Sequence, residues 1–255
     1  MLKLPGAVCL VTGASSGIGR ASALELRRAG CELIVSSDES EPLAELAREI
    51  EATALVFDLS FPGAARELAR AALAVRDRVD VLVNAAGIGL YGPVAEAATE
   101  EIERVLAVNV SSPIQLTGAL LPGMLERRCG HIVNIGSVIA HAGRKNEAVY
   151  AASKGALELF TESLRFELYG SGVGASLVSP AVVETRFFER RGVPYDRRRP
   201  APIAAERVAR AVVEAIRRDR AEIVLPAWLG LVGRVRGLAP GTFRRLERRF
   251  DQPRR

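Results

Sequence analysis

The chain has 255 residues, 49% hydrophobic and 25% charged, with a formal net charge of +5. That length can bury one sizeable core, and the composition excludes a disordered or fibrous chain. Three scattered cysteines (Cys9, Cys31, Cys129) and two histidines (His131, His141) exclude a disulfide scaffold and give no metal-ligand spacing. In chain order, short β-branched or aliphatic runs at 7–11, 32–36, 54–57, 79–83, 131–135, 174–178 and 222–225 predict strands. Amphipathic patterns at 17–29, 41–50, 63–75, 99–125, 149–169 and 204–218 predict the helices between them. This alternation predicts one α/β domain over residues 1–225, a doubly wound, seven-stranded parallel sheet flanked by helices.

Two segments depart from the rhythm. Residues 186–202 carry Phe187, Phe188 and Tyr195 among arginines, with Pro194, Pro200 and Pro202. The segment is too long for an ordinary connection and reads as a substrate loop, with the arginines at 197–199 solvated. Residues 226–255 hold eight arginines against Glu247 and Asp251, a net +6, which leaves the other residues at −1. The basic character belongs to this extension, so nucleic-acid binding by the body is not expected. Within it Val235, Leu238, Phe243, Leu246 and Phe250 recur at helical spacing. That predicts an amphipathic segment packed on the body or on a partner subunit, or lying on an anionic lipid surface. The first strand starts by residue 7, which leaves no room for a signal peptide, and no run of about 18 apolar residues occurs. A cytoplasmic protein is expected, with peripheral membrane contact possible only through 226–255.

Tyr150-Ala-Ala-Ser-Lys154 opens the helix predicted at 149–169 and places a phenol and an ammonium on one helix face. A cation there favours the phenolate and draws the phenol toward use as a general acid/base. Gly13-Ala14-Ser15-Ser16-Gly17-Ile18-Gly19 follows the first strand and opens the first helix. Glycines at that spacing let the backbone approach a pyrophosphate at a helix N-terminus.

These residues, with Asp58-Leu59 after strand three, Asn84-Ala85-Ala86-Gly87 after strand four, Asn109, and Ser137 after strand five, resemble the short-chain dehydrogenase/reductase family in its branch of about 250 residues. The resemblance runs from about Pro5 to Leu225 and implies a Rossmann-type fold. It implies that Tyr150 exchanges a proton with the substrate oxygen, that Ser137 hydrogen-bonds that oxygen, and that Lys154 holds the nicotinamide ribose and lowers the pKa of Tyr150. Asn109 would anchor a water that relays protons to Lys154. Gly13, Ser15, Ser16, Gly17, Ile18 and Gly19 would cradle the phosphates, Asp58 and Leu59 the adenine, and Asn84, Ala85, Ala86 and Gly87 the adenosine ribose. Pro180, Val183 and Thr185 would meet the nicotinamide carboxamide, although Ala181 replaces the family's usual glycine.

The end of strand two, Ser36-Ser37-Asp38-Glu39, bears on the choice between NAD and NADP. Ser37 stands where the family's ribose-binding Asp would be, and Asp38 where an Arg reads a 2′-phosphate. No cation is local apart from Arg20, and the acidic run repels a phosphate, which favours NAD; Ser37 can equally donate to a phosphate, which keeps NADP open. Ile88, Leu90, Tyr91, Val138, Ile139, Phe187 and Phe188, with Asn146, suggest a substrate pocket for an apolar secondary alcohol or ketone, lipid-like or steroid-like. His141 reads as a surface-loop residue rather than a substrate contact. The alternatives are a 3-oxoacyl thioester reductase and, in another class, a non-catalytic dinucleotide-binding or membrane-surface scaffold. The long helices at 99–125 and 149–169 carry surplus apolar positions, and with the resemblance they imply a homodimer or homotetramer.

Overall fold

The computed structural model describes residues 2–195, 200–241, 243 and 245. The arginines at 197–199 and the tail positions Leu246, Glu247, Phe250 and Asp251 lie outside the described residues. Seven parallel strands form one sheet: β1 (Val8–Thr12), β2 (Glu32–Ser37), β3 (Thr53–Val56), β4 (Val81–Asn84), β5 (Gly130–Ile135), β6 (Val173–Pro180) and β7 (Glu222–Leu225). The order is β3-β2-β1-β4-β5-β6-β7. The chain winds outward from β1 to β3, returns, and winds the other way from β4 to β7. The reversal between β1 and β4 opens a crevice at the carboxyl ends of the strands.

Both faces of the sheet are covered. Strand residues alternate between them: Cys9 and Val11 join one buried cluster, Val8 and Leu10 the other. On the first face lie α1 (Gly17–Arg28), α2 (Ser40–Glu49) and α8 (Ala205–Arg218), which contribute Leu26, Leu43, Leu46, Val208, Val212 and Ile216. On the second lie α3 (Ala64–Val75), α5 (Ser112–Glu126) and α6 (Ala148–Glu167), which contribute Leu68, Leu116, Met124 and Leu164. Each such side chain contributes about 1.5–3 kcal/mol relative to exposure. Short residues on α1 (Gly19, Ala21, Ala23) let it lie against Ala205 and Ala209 of α8.

The helix predicted at 99–125 is interrupted. It forms as α4 (Thr99–Leu106), a π turn (Ala107–Ser111) and α5. Pro113 has no N–H to donate to the carbonyl of Asn109, where an α-helix would need one. The widened turn buries Asn109 completely. The stretch Thr99–Glu126 holds an 18-residue window of mean hydropathy 1.3 and passes, by length and composition alone, for a helix able to cross a membrane. Here it lies along the sheet, with Leu116, Leu120 and Met124 in the core. α7 (Phe187–Arg190), inside the segment read as a substrate loop, falls outside the predicted set, whereas α9 (Gly230–Leu238), after a 3₁₀ turn at Ala227–Leu229, forms where helical spacing was read in the extension.

Candidate active site

A cleft of about 720 Å³ lies over the strand ends at the reversal point. Its floor begins with the loop after β1. Gly13 (φ +63) and Gly17 (φ +53) adopt left-handed conformations. A Cβ on Gly13 would lie 2.7 Å from Ala86 Cα, and one on Gly19 2.2 Å from the Gly13 carbonyl oxygen. A Cβ on Gly17 would meet Thr185 Cγ2 at 2.8 Å. Thr12 Oγ1 accepts from the backbone N–H groups of Ala85 and Ala86, both at 3.1 Å, and so ties the loop after β4 to the loop after β1. The cradle is therefore backbone-lined and opens at the N-terminus of α1, where an anion is favoured. Such a site fits a dinucleotide.

Gly13, Ser15, Ser16, Gly17, Ile18 and Gly19 all line this cleft, as do Ser37, Asp38, Asp58, Leu59, Ala85, Ala86 and Gly87. Asp58 Oδ1 accepts from Ser60 N at 2.8 Å, a local turn rather than the N-cap of α3, whose N-cap is Gly63. Asn84 departs from expectation. It ends β4 facing the α6 layer, 2% exposed, and Nδ2 donates to Asn134 Oδ1 at 2.8 Å. Asn134 Nδ2 in turn donates to Thr161 Oγ1 at 2.8 Å. Strand alternation turns Asn84 away from the adenosine side, so it braces the sheet against α6 instead of lining the cleft.

Ser137, Tyr150 and Lys154 converge on the cleft. Ser137 follows β5 and its Oγ accepts from Ile139 N at 3.3 Å. Tyr150 and Lys154 share a face of α6, with Nζ 5.9 Å from the phenol ring centroid. The expected lowering of the phenol pKa is not what the site produces. Burial pushes Tyr150 up to about 12; a hydrogen bond with Ser137 opposes this, and the Glu147 charge adds to it. Lys154 is itself drawn down to about 8 by burial. Its Nζ donates to the Ile135 carbonyl at 2.9 Å, so its charge is spent on the backbone rather than on the phenol.

Asn109 lies behind the wall of the cleft. Its Oδ1 accepts from Ile88 N and its Nδ2 donates to Ile88 O, both at 2.9 Å, and Nδ2 also donates to Ser153 Oγ at 3.0 Å. A Cβ on Gly87 would lie 3.5 Å from both Asn109 Oδ1 and Lys154 Nζ, so Asn109 and Lys154 meet across that glycine. Every polar atom of the Asn109 carboxamide is engaged in holding the 87–88 backbone and α6 in place.

Sequence reasoning anticipated less of the roof. Pro180, Val183 and Thr185 line the cleft as expected. Among the described residues the non-glycine positions with positive φ are Glu51, Arg128, Asn146 and Asp219, so the alanine at 181 is unstrained. Phe187 lies over Tyr150, ring centroids 5.4 Å apart. Arg191 stacks between Tyr91 and Phe188 and pairs with Glu147 at 3.3 Å, both side chains under a tenth exposed. Glu147, three residues before Tyr150, and Arg191 carried no local signal. Arg190, which ends α7, and Arg186, its N-cap, approach Glu39 at 2.6 and 3.7 Å. This corrects the reading that no cation but Arg20 is near the end of β2; Arg20 pairs outward with Glu49. The two arginines are distant in sequence, so only the fold brings them there.

Leu229 and Val232, from the extension, also line the cleft. Arg236 Nη1 donates to the His141 carbonyl at 3.0 Å, which ties α9 to the turn after Ser137. His141 and Asn146 do not line the cleft. His141 is not a free surface residue: its ring nitrogens lie 3.4 Å from Glu158 and from Glu222. Glu158 foremost, with Glu222, holds the imidazolium up to about 10.

Residues 7–194 match the short chain dehydrogenase family. The chain is 32% identical to dehydrogenase/reductase SDR family member 7B of Mus musculus over 260 residues, 95% of this chain and 80% of that protein. A short chain dehydrogenase/reductase from Burkholderia phymatum, in complex with NAD, superposes with a TM-score of 0.84 at 30% identity, covering 93% of this chain and 95% of that one. A short-chain dehydrogenase from Sphingobium yanoikuyae, in complex with NADPH, gives 0.82 at 28% identity, covering 92% and 95%. With the glycine cradle, Ser137, Tyr150 and Lys154 gathered at one cleft, the chain belongs to the short-chain dehydrogenase/reductase family, oxidoreductases that use NAD or NADP on alcohol and carbonyl groups.

Proposed function

We propose that this enzyme interconverts an apolar secondary alcohol and its ketone. The observation that carries this reading is the wall beside Tyr150: Ile88, Leu90, Val138, Ile139, Phe187 and Val232 line it, and its one buried ion pair, Arg191–Glu147, is internally satisfied. An apolar substrate is recognised there by shape and desolvation. The nicotinamide, when bound, supplies or accepts the hydride. Tyr150 Oη exchanges the proton with the substrate oxygen, and Ser137 Oγ steadies the charge that develops on it. Lys154, anchored on the Ile135 carbonyl, holds the ribose. Asn109 keeps Gly87 and α6 in register and, through the water it would anchor, connects Lys154 to solvent. The glycine cradle with Ser15, Ser16 and Ile18 receives the phosphates, and Pro180, Val183 and Thr185 orient the carboxamide.

The test is a panel of aliphatic, steroid-like and acyl-thioester ketones with NADH and NADPH. Turnover of the apolar ketones is expected; turnover confined to sugars or small acids would sink the reading, and confinement to thioesters would move it to 3-oxoacyl reduction.

The assembly we infer is a homodimer or homotetramer built on α5 and α6, supported by exposed Ile114, Leu125, Leu159 and Phe166. Light scattering that gives only a 27.3 kDa species would overturn it. The extension supports a second contact with lipid, since Trp228, Leu231 and Leu238 are exposed on the segment whose Leu229 and Val232 line the cleft. Salt-reversible sedimentation with anionic vesicles, lost on removing 226–255, is the expected result. Vesicle binding absent or unchanged by truncation would remove that contact.

A further inference from the structure

At the outer end of the cleft one carboxylate occupies an unusual setting. Glu39 Oε2 accepts from Ser15 Oγ at 2.6 Å and from Arg190 Nη2 at 2.6 Å, with Arg186 Nη2 at 3.7 Å. Arg190 Nη2 also donates to Ser16 Oγ at 3.3 Å, and Ser37 Oγ donates to Ser15 Oγ at 2.9 Å. The carboxylate is thus held by one hydroxyl of the glycine loop, itself backed by Ser37 of β2, and by guanidiniums at the two ends of α7. The Ser15 hydrogen bond foremost, then Arg190, holds the Glu39 carboxyl below its ordinary range. Ser15, Ser16, Ser37, Arg186 and Arg190 all line the same cleft as Tyr150.

We propose that Arg190, backed by Arg186, reads the 2′-phosphate of an NADP-type cofactor from the substrate loop, and that the Glu39 carboxylate holds this place until the phosphate displaces it. The inference rests on the dinucleotide occupying the cleft. Three features support it. The donor set suits a phosphate at least as well as a carboxylate, because guanidinium and hydroxyl donors bond both and a dianion gains more from two arginines. Glu39 precedes the first turn of α2 and its side chain is 32% exposed, so it can leave toward solvent without uncovering a buried charge. Asp38, the acid expected to repel a phosphate, is exposed, so solvent screens its charge. Specificity is then a competition. A 2′-hydroxyl leaves the Glu39–Arg190 pair intact, whereas a 2′-phosphate replaces the carboxylate and binds α7 directly.

The experiment is calorimetric titration of the full-length protein with NADP⁺, NAD⁺, 2′,5′-ADP and 5′-AMP, for wild type, Arg190→Gln, Arg190→Lys and Glu39→Gln. Arg190→Gln is expected to weaken NADP⁺ and 2′,5′-ADP by about tenfold or more, the scale of one charge-assisted contact, with NAD⁺ and 5′-AMP within about twofold. Arg190→Lys should recover part of the loss. Glu39→Gln should tighten NADP⁺ and 2′,5′-ADP several-fold by removing the competing anion. Equal loss of NAD⁺ and NADP⁺ in Arg190→Gln would make Arg190 a loop clasp and overturn the proposal. So would 2′,5′-ADP affinity unchanged in Arg190→Gln or weakened in Glu39→Gln. Failure of wild type to bind any of the four would instead overturn the dinucleotide reading of the cleft, and this inference with it.

Discussion

The floor and the roof of the cleft are held by different forces. On the floor, Lys154, Asn109 and Ser137 are buried and fixed by hydrogen bonds to backbone groups of Ile135, Ile88 and Ile139. The roof is fastened mainly by charges on residues distant in the chain: Arg190 to Glu39, Arg191 to Glu147, and Arg236 to the His141 carbonyl. Satisfied backbone hydrogen bonds inside packed layers give a geometry that changes only if the domain opens. Ion pairs at a rim are screened and individually weak, while a buried pair is costly to break from one side. The difference teaches that the chemistry is built into the domain, whereas access to it depends on a few side-chain charges.

The sharpest break is expected on the floor. Tyr150→Phe removes the proposed proton donor and should lower kcat by about a hundredfold or more, with cofactor affinity retained because the glycine cradle and Lys154 remain. Stopped-flow rates with a cofactor titration check it; retention of more than about a tenth of kcat would remove Tyr150 from the proton step.

On the roof, Arg191→Met strands the Glu147 carboxylate, a one-sided break that in buried pairs costs roughly 3–5 kcal/mol. The cost is expected as lost exchange protection in α7 and a KM for apolar ketones raised at least about tenfold. The double variant Glu147→Gln, Arg191→Met should recover part of both. A single variant indistinguishable from wild type would show that this pair does not hold the roof.

Two histidines sharpen the contrast through pH. His131, in β5, is 3% exposed and is pushed by burial down to about 4 from 6.5. The unfolded chain therefore takes up the proton first, so this contribution to stability is complete above about pH 6.5 and falls as pH drops toward 4, by up to about 3 kcal/mol. His131→Gln should flatten the acid limb of a urea-melt profile; an unchanged limb would contradict it.

His141, beneath α9, behaves oppositely. Held up to about 10, it contributes fully below pH 6.5, and the contribution is lost as pH rises toward 10. The effect is expected to be smaller because Glu222 is 39% exposed. Melts at neutral and alkaline pH should converge in His141→Gln, and parallel profiles for variant and wild type would exclude the ion pairs as an alkaline-sensitive fastening.

Much of the floor was legible in one dimension. The β1 loop, Ser137, Tyr150 and Lys154 sit at strand ends and helix starts, where local spacing decides position. The π turn at Asn109 had a local signal too, in Pro113, but an apolar run reads as one helix unless the missing N–H is followed to its acceptor. Asn84 was misplaced because its neighbours line the cleft while strand alternation turns it to the sheet's other side.

The sequence by itself determined the order of strands and helices, the glycine cradle and the placing of Tyr150 and Lys154 on one helix face, because these follow from residue periodicity and backbone geometry within short windows. Only the tertiary structure decided that Arg190 meets Glu39 across 151 positions, that Arg191 meets Glu147, that α9 closes over the turn after Ser137, and that Tyr150 and Lys154 are shifted mainly by burial. Charge pairing and desolvation depend on which surfaces the sheet and its layers bring together, and no local spacing encodes that.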